Sequence, residues 1–88
     1  MKVEFRESFL KDLRTAKNPN LLNKVKIAIE SVEASDIPQN IKNFKKLKGY
    51  STYFRIKISS YRIGLTMKGD TITFVRFLPR REIYRFFP

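Results

Sequence analysis

The strongest constraint on this chain is the two-residue alternation that runs through its second half. In Tyr53-Phe54-Arg55-Ile56-Lys57-Ile58 the apolar residues take one parity and the polar residues the other. A strand sends successive side chains to opposite faces, so Phe54, Ile56 and Ile58 can pack inward while Arg55 and Lys57 stand together outside. Tyr61-Arg62-Ile63-Gly64-Leu65 repeats the pattern, with Arg62 on the polar parity. The spacing predicts three antiparallel strands, about Thr52–Ile58, Tyr61–Met67 and Thr71–Leu78, joined by Ser59-Ser60 and by the Lys68-Gly69-Asp70 hairpin turn.

Turns this tight also fix the register. Ile58 should face Tyr61, Lys57 should face Arg62 and Arg55 should face Gly64. In the second hairpin Met67 should meet Ile72 and Leu65 should meet Phe74. The inward set of the last strand is then Ile72, Phe74 and Phe77, which breaks strict alternation and calls for a bulge near Val75-Arg76. Gly64 opposite Arg55 leaves a gap that a backbone can approach.

The first half reads differently. Lys2 to Phe5 alternates as a short strand, and Phe9, Leu10 and Leu13 recur at helical spacing from about Glu7 to Thr15. Asn18 is a good N-cap and Pro19 is tolerated at the first helical position. Leu21, Leu22, Val25, Ala28, Ile29 and Val32 then form a core-facing stripe that ends near Ser35-Asp36, before Ile37-Pro38. Ile27 lies off the stripe, either against the first helix or on a partner surface, with the first helix favoured. The order predicts one α+β domain over residues 1–88: two N-terminal helices packed on one face of a twisted, mainly antiparallel sheet of four to five strands.

Charge is concentrated where the alternation is. Residues 1–36 carry seven Lys/Arg and six Asp/Glu, a net +1; residues 37–88 carry twelve Lys/Arg and two Asp/Glu, which is +10 of the chain's +11. A charge meant only for solubility would not be so lopsided, and an anionic partner for the second half is implied. Lys57 and Arg62, as direct cross-strand neighbours about 5 Å apart at Cβ, repel by about 3 kcal/mol at an effective dielectric near 20. Folding does not favour that pair, which suggests a role other than folding, and the cationic face as a whole suggests a phosphate backbone as its partner. The absence of Cys and His, with eight carboxylates, leaves little material for a metal site, and none is expected. Charges interrupt the N-terminal run Met1-Lys2-Val3-Glu4-Phe5, and no segment approaches the ~20 apolar residues of a membrane span, so a cytoplasmic protein is expected.

Lys46-Leu47-Lys48-Gly49, Phe54-Arg55-Ile56-Lys57, Tyr61-Arg62 and Pro79-Arg80-Arg81-Glu82-Ile83-Tyr84 occur in that order. Together they closely resemble the RelE/ParE toxin superfamily of bacterial type II toxin–antitoxin systems, and most of all its RelE branch. The resemblance spans essentially the whole chain. It implies a metal-independent, ribosome-dependent mRNA endonuclease that needs no cofactor, inhibits translation and is silenced by a cognate antitoxin. In that family the ribose 2′-hydroxyl attacks the adjacent phosphate in the ribosomal A site. Carried over, Arg55 and Lys57 match the two strand cations, Arg62 the "YR" arginine, Arg80 the C-terminal arginine and Tyr84 the terminal tyrosine. Arg55 departs from the Lys of the best-known members, and Arg81 can replace Arg80 if the turn after Pro79 shifts by one residue.

The residues fit this chemistry. Such a reaction needs a base, charge stabilisation on the phosphorane and a proton for the leaving oxygen. Without His, Lys57 is the plausible base, the arginines suit charge stabilisation because they stay protonated, and Tyr84 can stack on a base or assist proton transfer. Lys45, Lys46, Lys48, Tyr53, Arg76 and Arg81 are candidate RNA contacts. Phe86 and Phe87 either cover the sheet edge or meet the antitoxin. The implied partners are an antitoxin with an acidic or amphipathic segment, the ribosome with its mRNA, and operator DNA reached through the antitoxin. The other readings are a ParE-like DNA gyrase inhibitor without chemistry of its own, and a degenerate member that only binds RNA or its antitoxin.

Overall fold

The computed structural model describes all residues, Met1–Pro88. The chain forms β1 (Lys2–Phe5), α1 (Glu7–Ala16), α2 (Pro19–Ala34), a 3-10 turn (Pro38–Asn40), β2 (Phe44–Lys46), β3 (Tyr53–Ile58), β4 (Tyr61–Lys68), β5 (Thr71–Pro79) and α3 (Arg80–Phe86). The five strands make one sheet in the order β1-β5-β4-β3-β2, with β1 parallel to β5 and all other pairs antiparallel. Phe9 of α1 and Leu21, Val25 and Val32 of α2 are buried with Phe54, Ile56, Ile58, Ile63, Leu65, Ile72, Phe74 and Phe77 in one core. This inner face is the one on which the two N-terminal helices pack.

Local chemistry places the helices. The Asn18 side chain accepts a hydrogen bond from the Leu21 N–H at 3.1 Å, capping α2 with Pro19 inside its first turn. α1 ends at Lys17, whose φ of 48° is the left-handed geometry that closes a helix. β2, which was not among the predicted strands, is the fifth strand of the sheet and pairs Phe44 with Ile56 and Lys45 with Arg55.

The register agrees with the turns. Ile58 faces Tyr61, Lys57 faces Arg62, Arg55 faces Gly64, and Leu65 and Met67 face Phe74 and Ile72. Between β4 and β5 the pairing shifts: Leu65 meets Phe74 but Gly64 meets Arg76, so Val75 is the extra residue of a bulge. That insertion lets Phe74 and Phe77 both reach the core, 0% and 1% exposed.

β1 covers only the first part of β5, as far as Phe74. Beyond it α1 takes over the edge of β5 with side chains in place of a strand. Ser8 Oγ donates to the Val75 carbonyl at 2.6 Å, and Asp12 Oδ2 accepts the Phe77 N–H at 2.9 Å. Asp12 also receives both arms of Arg76, Nε at 2.8 Å and Nη2 at 3.2 Å. One carboxylate therefore satisfies a strand-edge amide and a guanidinium.

Two expectations are corrected. Ile27 does not pack on α1; it is 56% exposed and lines an open groove between α2 and β3 with Ala28, Ile41 and Ile58. The segment after Pro79 is a helix rather than a simple turn, because Ile83 and Phe87 recur at helical spacing and are buried. Asp12→Ala should lower unfolding stability by about 2–4 kcal/mol, since it strands the Phe77 N–H and unpairs Arg76. Chemical denaturation checks this, with Asp12→Asn expected to lose less.

Candidate nucleic-acid interface

The face of the sheet opposite α1 and α2 carries the cations. Register lays them out in rows: Lys45, Arg55, Gly64 and Arg76 are successive cross-strand neighbours from β2 to β5, and Lys57, Arg62 and Leu78 form the next row. Arg80 lies two residues beyond the second row, where its N–H donates to the Ser60 carbonyl at 2.9 Å and continues the β4–β5 pairing past Tyr61 and Pro79. Arg55, Lys57, Arg62 and Arg80 are thus gathered along one face and one end of the sheet.

Their environments differ. Lys57 is exposed, and half-buried Arg55 donates from Nη1 to the Asn43 carbonyl at 3.0 Å. Arg62 is only 7% exposed, and its Nη1 donates to the Ser59 carbonyl at 3.0 Å and the Tyr61 carbonyl at 2.8 Å. It stitches the β3–β4 turn, where Ser59 adopts a φ of 54°. Those carbonyl dipoles partly offset the repulsion that the Lys57–Arg62 pairing creates.

Arg76 is committed to Asp12, and its guanidinium carbon lies 5.9 Å from the Phe86 ring centroid, so it is held by the fold from both sides. The chain has one other ion pair, between Arg14 and Glu7, far along the helical side. Lys45, Arg55, Lys57, Arg80 and Arg81 have no carboxylate partner.

α3 supplies the rest. Arg80 and Tyr84, four residues apart, share a helical face, and both are exposed, Tyr84 at 57%. Lys46 and Lys48 are exposed beside Tyr50, whose ring meets Tyr53 edge-on at 5.4 Å. Half-buried Tyr53 in turn meets Phe87 edge-on at 5.5 Å. The sequence reading missed Tyr50 and the role of Phe87. A glycine between Ile63 and Leu65 was the signal for the last; it was read as an open gap, whereas the Phe87 ring fills it. No group of acidic or sulfur ligands able to hold a metal ion is present.

Residues 3–84 match the family described as ParE toxin of type II toxin–antitoxin system, parDE. The chain is 42% identical to Toxin RelE3 of Methanocaldococcus jannaschii over the whole length of both proteins. It is 33% identical to Putative toxin RelE1 of the same organism, covering 91% of this chain and 89% of that one. The toxin fold in the crystal structure of a RelB-RelE antitoxin-toxin complex from Methanococcus jannaschii superposes with a TM-score of 0.79 at 37% identity, over 97% of this chain and 99% of that one. The protein belongs to the ParE toxin family of type II toxin–antitoxin systems, within the RelE/ParE superfamily, and is RelE-like.

If four of these cations, Arg55, Lys57, Arg80 and Arg81, each neutralise one phosphate of a single strand, the slope of log affinity against log salt should be about −3, or roughly 50-fold weaker binding between 50 and 200 mM salt. Titration of the purified protein with a short, non-cleavable single-stranded RNA measures it. Lys57→Ala should make the slope shallower by about 0.7.

Proposed function

We propose that this toxin is a ribosome-dependent mRNA endonuclease that works without a metal ion or cofactor. The observation that carries the reading is the pair Arg55 and Lys57, two residues apart on the outer face of β3, free of carboxylates and bordered by Arg80. A phosphodiester supplies the negative charge that this face lacks.

The reaction needs no water. The substrate's 2′-oxygen gives up its proton and attacks the neighbouring phosphorus, forming the 2′-O–P bond as the P–O5′ bond breaks. The products are a 2′,3′-cyclic phosphate and a 5′-hydroxyl, which takes up a proton. Arg55 and Arg80 suit the non-bridging oxygens, where charge grows in the phosphorane. Lys57 is the candidate base, with Tyr84 stacking on an adjacent base or assisting proton transfer to the leaving oxygen. Arg62 acts from beneath, fixing the turn that carries Lys57 and contributing charge to the same end of the sheet. Lys45, Lys46, Lys48, Tyr53 and Arg81 extend the surface towards flanking RNA. Arg76, locked to Asp12, contributes field rather than contact.

The cognate partner is an antitoxin whose acidic or amphipathic segment covers this basic half and whose own DNA-binding part takes the complex to operator DNA. The structural relative was solved with RelB. No helix is long and apolar enough to cross a membrane, and the proposed action on ribosomes calls for a cytoplasmic protein.

Purified ribosomes carrying a short mRNA test the reading. Wild-type protein should cut the A-site codon, and Lys57→Ala or Arg80→Ala should each slow cleavage about 10²-fold or more with unchanged melting temperature. Intact mRNA together with impaired DNA supercoiling would instead support the gyrase-directed reading.

A further inference from the structure

Gly64 lies mid-strand between Ile63 and Leu65, where the lack of a side chain weakens a sheet and calls for a reason. The space its Cβ would occupy is already filled. A Cβ built there would approach Cγ and Cδ2 of Phe87 to 2.7 Å, closer than real contacts allow. Phe87 is 3% exposed although it sits on the polar face of the sheet. Its N–H donates to the Ile83 carbonyl at 2.8 Å, continuing α3 by one bond, and its ring meets Tyr53 at 87°.

The preceding residue makes a second contact. Phe86 lies against Arg76, which is the cross-strand partner of Gly64. Consecutive aromatics therefore stand on one pair of facing residues, and that pair is rigid because Asp12 holds Arg76 in two hydrogen bonds. At its other end α3 is tied to the β3–β4 turn by the bond from Arg80 N–H to the Ser60 carbonyl. The helix is pinned at both ends across the outer face, with Arg80 and Tyr84 exposed along it.

We infer that Phe87 is the positioning residue of the outer-face site: its ring, seated on Gly64, fixes α3 so that Arg80 and Tyr84 are presented beside Arg55 and Lys57. The inference rests on the nuclease reading for its catalytic consequence and on the packing alone for the anchor. A seven-residue helix gains little from its own hydrogen bonds. Without the seat, α3 would lose its C-terminal pin and the site its geometry.

Two measurements test this. In single-turnover cleavage on mRNA-loaded ribosomes, Phe87→Ala should lower the rate at saturation about 10–100-fold with little change in the concentration for half-maximal rate. Phe87→Leu should recover most of the loss, and Gly64→Ala should reproduce it. In an Arg80→Ala, Tyr84→Ala background Phe87→Ala should cost less than about threefold, because both side chains that it presents are then gone. A full multiplicative loss in that background, or no loss in the parent, overturns the positioning role. Independently, hydrogen exchange at the α3 amides should speed up about tenfold or more in Phe87→Ala while β4 amides keep their protection. Unchanged α3 protection overturns the anchor whether or not the protein cleaves RNA. Failure of the wild-type chain to cleave overturns the nuclease reading and the catalytic half of this inference, leaving the exchange result to decide the anchor.

Discussion

The single extra residue at Val75 organises more of this molecule than any other local feature. By advancing the β5 register one step between Leu65 and Gly64, it turns both Phe74 and Phe77 into the core and sends Arg76 out beside Gly64. The bulge also exposes strand-edge groups that β1 does not reach, and α1 satisfies them through Ser8 and Asp12. From that one irregularity follow the docking of α1, the commitment of Arg76 and the seat on which the C-terminal aromatics rest. A strict hairpin would have placed Phe77 on the polar face and left α1 without its edge contacts.

Electrostatics on the outer face run against the fold. Two neighbouring rows hold Lys45, Arg55, Arg76, Lys57 and Arg62, and the nearby helix adds Arg80 and Arg81, while the one carboxylate paired within these rows, Asp12, is spent on Arg76 at the β5 end. Solvent screening keeps each exposed repulsion small, of the order of 1 kcal/mol. The exception is Arg62, buried among carbonyl dipoles instead of a counter-ion. Its burial is tolerable because a guanidinium is weakly hydrated and offers five donors, whereas an ammonium in the same place would forfeit far more hydration. The surface is thus held in a state that an anionic ligand relieves.

The strands, their register and the bulge were legible because alternation and turn length leave few alternatives: Lys57 opposite Arg62 follows from Ser59-Ser60 alone. The capped start of α2 was equally plain in Asn18-Pro19. α3 was not, because its buried stripe consists of Ile83 and Phe87 only and follows a proline, a pattern that a turn satisfies as well. Ile27 misled for a related reason: an apolar residue beside a core stripe looks buried, yet its exposure depends on where α1 crosses. The candidate site was half legible. Parity placed Arg55, Lys57 and Arg62 on one face, but it does not set the side-chain rotamer that folds Arg62 back onto the Ser59 and Tyr61 carbonyls, and the draw of Arg76 across to Asp12 depended on a partner 64 residues away. The roles assigned to these side chains rest on the family resemblance, not on spacing.

The two outermost strands of the sheet are only four and three residues long and carry Lys2, Glu4, Lys45 and Lys46. Such borders offer little template for another copy to zip onto, and like charges at the β2 border repel an approaching twin. A toxin that parts from its antitoxin meets other copies of itself unescorted. Stubby, ionised margins disfavour clumping into ribbons during that interval.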